Sequence, residues 1–553
     1  MPDPARTSHQ TAAATFDLAR ARARLDGTPD AINAAIECCD RHPPAVFALR
    51  YEARDGASRT LTFADLAEQS ARVAHVLVAQ GVCPGDRVSV LLPRIPELLA
   101  TMLGIWRAGA VYQPLFTAFG PAAITHRLRT AGACLVVTDA INRAKLEPGH
   151  PPVLCLGATG DDLDYATLTA AAPTSFNPVM RSIDDPFLLL STSGTTGPAK
   201  AVPVPLGAIA AFIGYMEQAV DLRPTDRFWN IADPGWAYGL YYAAIGPLAL
   251  GHATTFYDGP FTVESTVGLV ARLGITNLCG SPTAFRMLIA AGPEAVRPIR
   301  GQLRVVSSAG EPLNPEVIRW FRDHLDAPIH DHYGQTELGM VVCNHHALEH
   351  PVHLGAAGVP VPGHTVAVLD PKGQPLPPGQ PGILAIDRAA SPLFWFTGYE
   401  GAPPLSDRYY LTGDTVEALA DGAIAFIGRS DDIITSSGYR IGPFDVESAL
   451  IEHPAVVEAA VIGKPDPERT EIVKAFVVLQ PGTGPTPALA EALQQHVRTR
   501  LSAHAYPREI AFVDALPKTP SGKLQRFLLR NAERAETPEA RARSVPNATG
   551  PIE

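Results

Sequence analysis

One ten-residue stretch constrains this chain more than any other: STSGTTGPAK, Ser191 to Lys200, directly after the apolar run Phe187 to Leu190. The run reads as a short buried strand. Glycines let a backbone turn successive N–H groups onto an anion, Ser and Thr hydroxyls add donors, and the closing lysine brings a charge that can follow a moving phosphate. The stretch therefore reads as a polyphosphate cradle hung from a strand. It is not a Walker A loop: Gly194 and Gly197 are too close together for that spacing, and Ala201 stands where a hydroxyl should follow the lysine. Taken alone, such a cluster is more simply explained as a mobile surface loop of small polar residues.

Other motifs in the same chain overturn that simpler explanation. GEPLNPE at 310–316, HYGQTE at 332–337, YLTGD at 410–414, GRSDD at 428–432, SGYRIGPFDVE at 437–447 and PKTPSGK at 517–523 follow in order. With STSGTTGPAK, this set resembles the adenylate-forming superfamily of acyl-CoA synthetases, peptide-synthetase adenylation domains and luciferases, over roughly residues 45 to 530. The phrases CGSPTAFRML (279–288), SSGYRIGPFDVES (436–448) and the segment 229–251 resemble its acetyl- and medium-chain acyl-CoA synthetase branch.

Composition is consistent with this. A chain of 553 residues with 46% hydrophobic residues is long enough for several domains with large cores. Its net charge of -11 argues against a nucleic-acid partner, which needs clustered Lys and Arg. Seven cysteines without a C-x-x-C pair fit neither a disulfide framework nor a zinc site, so a reducing cytoplasm is the simplest setting. The His-rich tract Cys343, His345, His346, His350 and His353 also matches no zinc spacing. No apolar leader and no run of about 18 apolar residues is present, so no membrane span is expected.

Before the phosphate loop, helical and strand patterns alternate. Thr62 to Gln80 reads as a helix, opened by Thr62 with Asp65 and stopped by Gly81; Arg87 to Leu92 reads as a strand, Glu97 to Ala108 as a helix and Cys134 to Thr138 as a strand. That alternation predicts an α/β fold. The resemblance implies a large multi-layer α/β N-terminal domain (1–430) binding AMP and the acyl group, and a small mobile α+β lid (431–535). In the lid, Val446 to Glu452 reads as a helix and Val456 to Ile462 and Val473 to Val478 as strands. From about Ala532 the chain has few large apolar residues and reads as loose at its end, with 536–553 a flexible tail.

By resemblance, the reaction joins a carboxylic acid to ATP and then to coenzyme A. Thr192, Ser193, Gly194, Thr195, Thr196, Gly197 and Lys200 are expected on the phosphates, Thr336 on phosphate, and Glu337 as the Mg2+ ligand. Gly310, Glu311 and Pro312 are expected to wall the adenine, Tyr333 to stack on it, and Asp414 and Arg429 to hold the ribose; a turn role after Gly413 is the plainer alternative for Asp414. Lys523 is expected at the α-phosphate during adenylation, Arg440 on phosphate, and Asp431 at a hinge. Rotation there would replace Lys523 with Ser437, Gly438 and Tyr439 beside the pantetheine thiol. Lys523 would also be the target of a lysine acetylase.

For the acid, Trp236, Ala237, Tyr238 and Gly334 are expected to line the pocket. Glycine at 334, where acetate-specific members carry tryptophan, implies room for a longer chain, whereas Tyr238 is bulky. The reading is an AMP-forming ligase acting on a short- to medium-chain acid. Alternatives are an aryl-acid (benzoate-type) CoA ligase, a ligase loading a carrier-protein thiol, and a nucleotide-binding regulator without chemistry. The last has no use for Lys523. Oligomeric state is left open, a homo-oligomer included.

Overall fold

The structure, a computed structural model, describes residues 6–158, 160–192, 200–436, 439–466, 469–501, 504–518 and 524–536. Helices and strands alternate through the first part as the pattern predicts. The helix Phe63–Ala79 opens on a capping box: Thr62 Oγ1 accepts from the Asp65 N–H, and Asp65 Oδ2 accepts from the Thr62 N–H at 2.8 Å. The apolar stripe behind that box, with Leu66, Val73 and Leu77 fully buried, faces the core. The helix Pro96–Arg107 packs against it.

Two large sheets carry the site. In the seven-stranded sheet, Arg87–Leu91, Val111–Pro114, Leu135–Asp139 and Pro186–Ser191 run parallel, and the antiparallel edge strand Ala201–Pro205 pairs with Pro186–Ser191. The strand predicted before the phosphate loop is therefore present and buried at Phe187 to Leu190. In the ten-stranded sheet, Phe228–Asn230, Asn277–Gly280, Val305–Ala309 and Ile329–Gln335 are parallel. The direction then reverses in the hairpin to Gly339–Cys343, and the strands Tyr409–Ala418 and Ile424–Arg429 continue antiparallel. The GEP and YGQTE motifs thus leave the carboxyl ends of parallel strands beside this reversal, where open α/β sheets bind ligands.

From Ile434 onward a separate hydrophobic core forms from Val446, Leu450, Val461, Val477, Leu493 and Val497. Its helix, Pro443–Ile451, and strands, Val456–Asp466 and Thr470–Leu479, match the predicted runs with longer bounds. A helix covers Arg526–Glu536, and Glu533, 6% exposed, pairs with Lys474 at 2.6 Å. A polar, amphipathic segment holds here by a buried ion pair, which a count of apolar residues does not register. Residues 537–553 lie outside the described residues. Among the described residues no helix is long and apolar enough to cross a membrane.

Candidate active site

A cavity of about 810 Å³ opens between the large sheets and the C-terminal unit. Its walls bring together Thr192, Lys200, Gly310, Glu311, Pro312, Tyr333, Gly334, Thr336, Glu337, Asp414, Arg429 and Asp431 from motifs spread over 240 positions of sequence. Ser193, Gly194, Thr195, Thr196, Gly197, Ser437, Gly438 and Lys523 lie outside the described residues, as does the side chain of Arg440. The ends of the first and last of these gaps are nonetheless placed. Thr192 donates its N–H to the Lys200 carbonyl at 2.8 Å and accepts the Lys200 N–H on Oγ1 at 3.1 Å, closing the base of the phosphate loop. Lys518 and Leu524, which flank the PSGK motif in sequence, form a β-bridge, and both face the cavity.

Asp414 is the organising carboxylate of one wall. It sits within the strand Tyr409–Ala418, directly across from Arg429, rather than in a turn. Oδ1 accepts from Arg429 Nη1 at 3.1 Å; Oδ2 accepts from Gln335 Nε2 at 2.9 Å and from the Tyr333 hydroxyl. Burial pushes its carboxyl above the usual range, against the pull of Arg429 and the two neutral donors. Tyr333 thus has a task beyond its ring face, and Gln335 emerges as a site residue although it lies inside YGQTE. Arg429 Nε also approaches Asp431 at 3.6 Å, so the hinge candidate adjoins the ribose candidates.

The opposite wall is built around Glu337. This residue is 8% exposed, and its Oε1 accepts the Tyr399 hydroxyl at 2.8 Å. Lys200 Nζ stands 4.7 Å above the Tyr399 ring. Among the described residues, Glu337 Oε2 has no hydrogen-bond or ion-pair partner, so the residue offers the hard oxygen that Mg2+ takes. Behind the hairpin, Tyr241 donates to the Thr336 carbonyl at 2.9 Å and Tyr242 accepts the Met340 N–H at 2.9 Å. Both tyrosines come from a π-helical turn, Leu240–Ile245.

Glu311 faces the cavity but is already engaged, accepting from Thr283 Oγ1 and Arg286 Nη2 at 2.9 Å each. Gly310, with φ +101, needs glycine for its backbone alone. Asp331 is a residue the motifs did not single out. It lines the cavity at 6% exposure, Oδ2 accepts the Leu313 N–H at 3.0 Å, and Oδ1 is buried with no partner among the described residues. Burial raises its carboxyl to about 7.

Three of the acyl-pocket candidates lie away from this cavity. Trp236 packs its indole against Phe116 and Phe119, at 5.6 and 5.3 Å between ring centres, while Ala237 and Tyr238 pack against the main core. None of the three lines the cavity. Tyr439 is also elsewhere: it is 52% exposed and stacks on His504 at 4.0 Å. Within the His-rich tract, His346 stacks on His330 at 3.9 Å and its Nε2 meets the Val306 carbonyl at 2.9 Å.

Comparison with known proteins agrees with this arrangement. The family model described as AMP-binding enzyme matches residues 37–399, and that described as AMP-binding enzyme C-terminal domain matches 445–523. Acetyl-coenzyme A synthetase of Bacillus subtilis is 38% identical over 519 residues, covering 90% of this chain and 90% of its own. The crystal structure of an acyl-CoA synthetase from Brucella canis is 60% identical, with a TM-score of 0.78 over 96% of this chain and 99% of that one. An anthranilate CoA ligase bound to anthranoyl-AMP is 26% identical, with a TM-score of 0.83 over 94% of this chain and 99% of that one. With both family models matched along the chain and the motif residues converging on one cavity, the chain belongs to the AMP-binding enzyme family, among its acyl-CoA synthetase ligases.

Proposed function

We propose that this enzyme activates a short- to medium-chain carboxylic acid with ATP and transfers the acyl group to coenzyme A. The observation that carries the reading is the shared cavity: the Asp414 wall, the Lys200–Glu337 wall and the residues flanking the PSGK motif, Lys518 and Leu524, all face it. In the first half-reaction a carboxylate oxygen attacks the α-phosphorus, the bond to the β-phosphate breaks, and pyrophosphate leaves acyl-AMP behind. Asp414 and Arg429 hold the ribose, Gly310 and Pro312 border the base, and the unpartnered Oδ1 of Asp331 suits an amino group of adenine. Lys200 and Lys523 offset the meeting of two anions, which makes catalysis mainly positioning and charge stabilisation. Glu337 would hold Mg2+, which when bound neutralises phosphate charge.

In the second half-reaction the thiol sulfur attacks the acyl carbon, the bond to AMP breaks, and the thiol proton passes to solvent. The separate core beginning at Ile434 supports treating 431–535 as a unit that turns about Asp431. The cavity faces the residues flanking the PSGK motif while Tyr439 stacks away from it, which supports the adenylation orientation here.

The test is a panel of acetate, propionate, butyrate, hexanoate, octanoate and benzoate with ATP and CoA, read as AMP release. Highest kcat/KM on an aliphatic acid longer than acetate is expected. Likeness to an anthranilate ligase favours a second reading, an aryl acid as substrate, and benzoate leading the panel would select it. Release of AMP only when a carrier protein replaces CoA would move the acceptor instead.

A further inference from the structure

Tyr399 belongs to none of the motifs above, yet it touches both charged groups of the phosphate wall. Its hydroxyl donates to Glu337 Oε1 at 2.8 Å, and its ring lies under Lys200 Nζ at 4.7 Å. The position is built rather than incidental. The next residue, Glu400, donates its N–H to the Ala201 carbonyl at 2.9 Å, tying this loop to the strand that begins after Lys200. Phe396, 1% exposed, packs edge-on to the Tyr399 ring at 5.1 Å. A tyrosine kept for packing alone would not need its hydroxyl on a buried carboxylate lining the cavity.

We propose that Tyr399 is a positioning residue that sets the Lys200 ammonium and the Glu337 carboxylate on either side of the ATP phosphate chain. This rests on the function proposed above. A lysine and a glutamate facing one cavity attract each other, and a direct pair would leave neither for ligand. Tyr399 stands between them: its hydroxyl satisfies Oε1 and leaves Oε2 without a partner among the described residues, and its ring face holds the ammonium without neutralising it. The two contacts are separable. The hydroxyl acts on the metal-binding carboxylate and the ring on the lysine.

The experiment is binding, not turnover: calorimetric titration of ATP, with no acid present, into wild type, Tyr399→Phe and Tyr399→Leu, each in Mg2+ and in EDTA. Tyr399→Phe should weaken MgATP roughly tenfold, as expected for losing a hydrogen bond to a charged group, and leave metal-free ATP unchanged. Tyr399→Leu should weaken metal-free ATP as well, by roughly threefold, because the ring under Lys200 is gone. Thermal melting of the phenylalanine variant within a few degrees of wild type shows that the fold is retained. Equal weakening of both forms of ATP by Tyr399→Phe, or no weakening, overturns the inference while leaving the proposed function standing. Failure of wild type to bind MgATP overturns both.

Discussion

A β-carbon placed on Gly334 would stand 2.0 Å from the Gly339 carbonyl oxygen and 2.8 Å from the Met340 Cα. The pairing of the two hairpin strands shifts register at this point, between Tyr333 and Gly334. In this hairpin the facing backbone leaves no room for a side chain at 334 unless one strand shifts. Beside the room it is expected to leave for a longer acid, Gly334 is a contact of the hairpin that carries Thr336 and Glu337.

Gly334→Ala should therefore lower kcat/KM on every acid by a similar factor and destabilise the fold by about 1–3 kcal/mol, the usual cost of overpacking. Gly334→Trp should do the same more severely. The acid panel together with thermal melting checks this. Selective loss on hexanoate and octanoate, with acetate spared, would favour the role as pocket floor instead.

Gln335→Ala removes one donor from Asp414 and also the bond to the Thr412 carbonyl at 2.9 Å. The KM for ATP should rise roughly tenfold, as for loss of a hydrogen bond to a charged group, with the KM for the acid unchanged. Initial rates with each substrate varied in turn decide it. A shift in acid KM of equal size would mean that Gln335 serves the whole hairpin rather than the ribose wall.

The two half-reactions should separate at the lid. Lys523→Ala is expected to cut acyl-AMP formation by roughly 10²-fold while sparing thioester formation from supplied acyl-AMP; acetylation of Lys523, which removes its charge, should act alike. Asp431→Pro fixes φ and should do the reverse, keeping adenylation and losing thioester formation. Pyrophosphate exchange and single-turnover thioester assays measure the halves. Parallel loss of both in either variant would count against a rotating lid.

Asp331 gives a pH signature of known sign. Its carboxyl rises from 3.8 to about 7 on folding, so between those values the folded chain holds a proton that the unfolded chain has released. Its contribution to stability is complete below 3.8, falls as pH rises through that window, and is lost above about 7. The difference in unfolding free energy between wild type and Asp331→Asn should decline from pH 4 to 7 and then level. Urea unfolding across that range tests it; a flat difference would mean that Asp331 is solvated in the folded state.

How the chain divides between legible and hidden is clearest at the two walls. Local order determined the buried strand before the phosphate loop and the capped helix at Thr62, since each is written in a run of neighbouring residues, whereas Gly310, Tyr333, Glu337, Asp414 and Arg429 stood out only through the resemblance of their motifs to a family. Family resemblance supplied the nucleotide. Tertiary structure alone decided that Tyr399 reaches Glu337 from 62 positions away, that Tyr241 and Tyr242 brace the hairpin, and that Arg286 occupies Glu311. It also turned Trp236 into packing for Phe116 and Phe119, and ordered the helix past Ala532 through Lys474 and Glu533. These are pairings between side chains remote in sequence. Periodicity and motif spacing describe what one segment presents, whereas the partner that meets it is chosen only when the sheets and helices have packed.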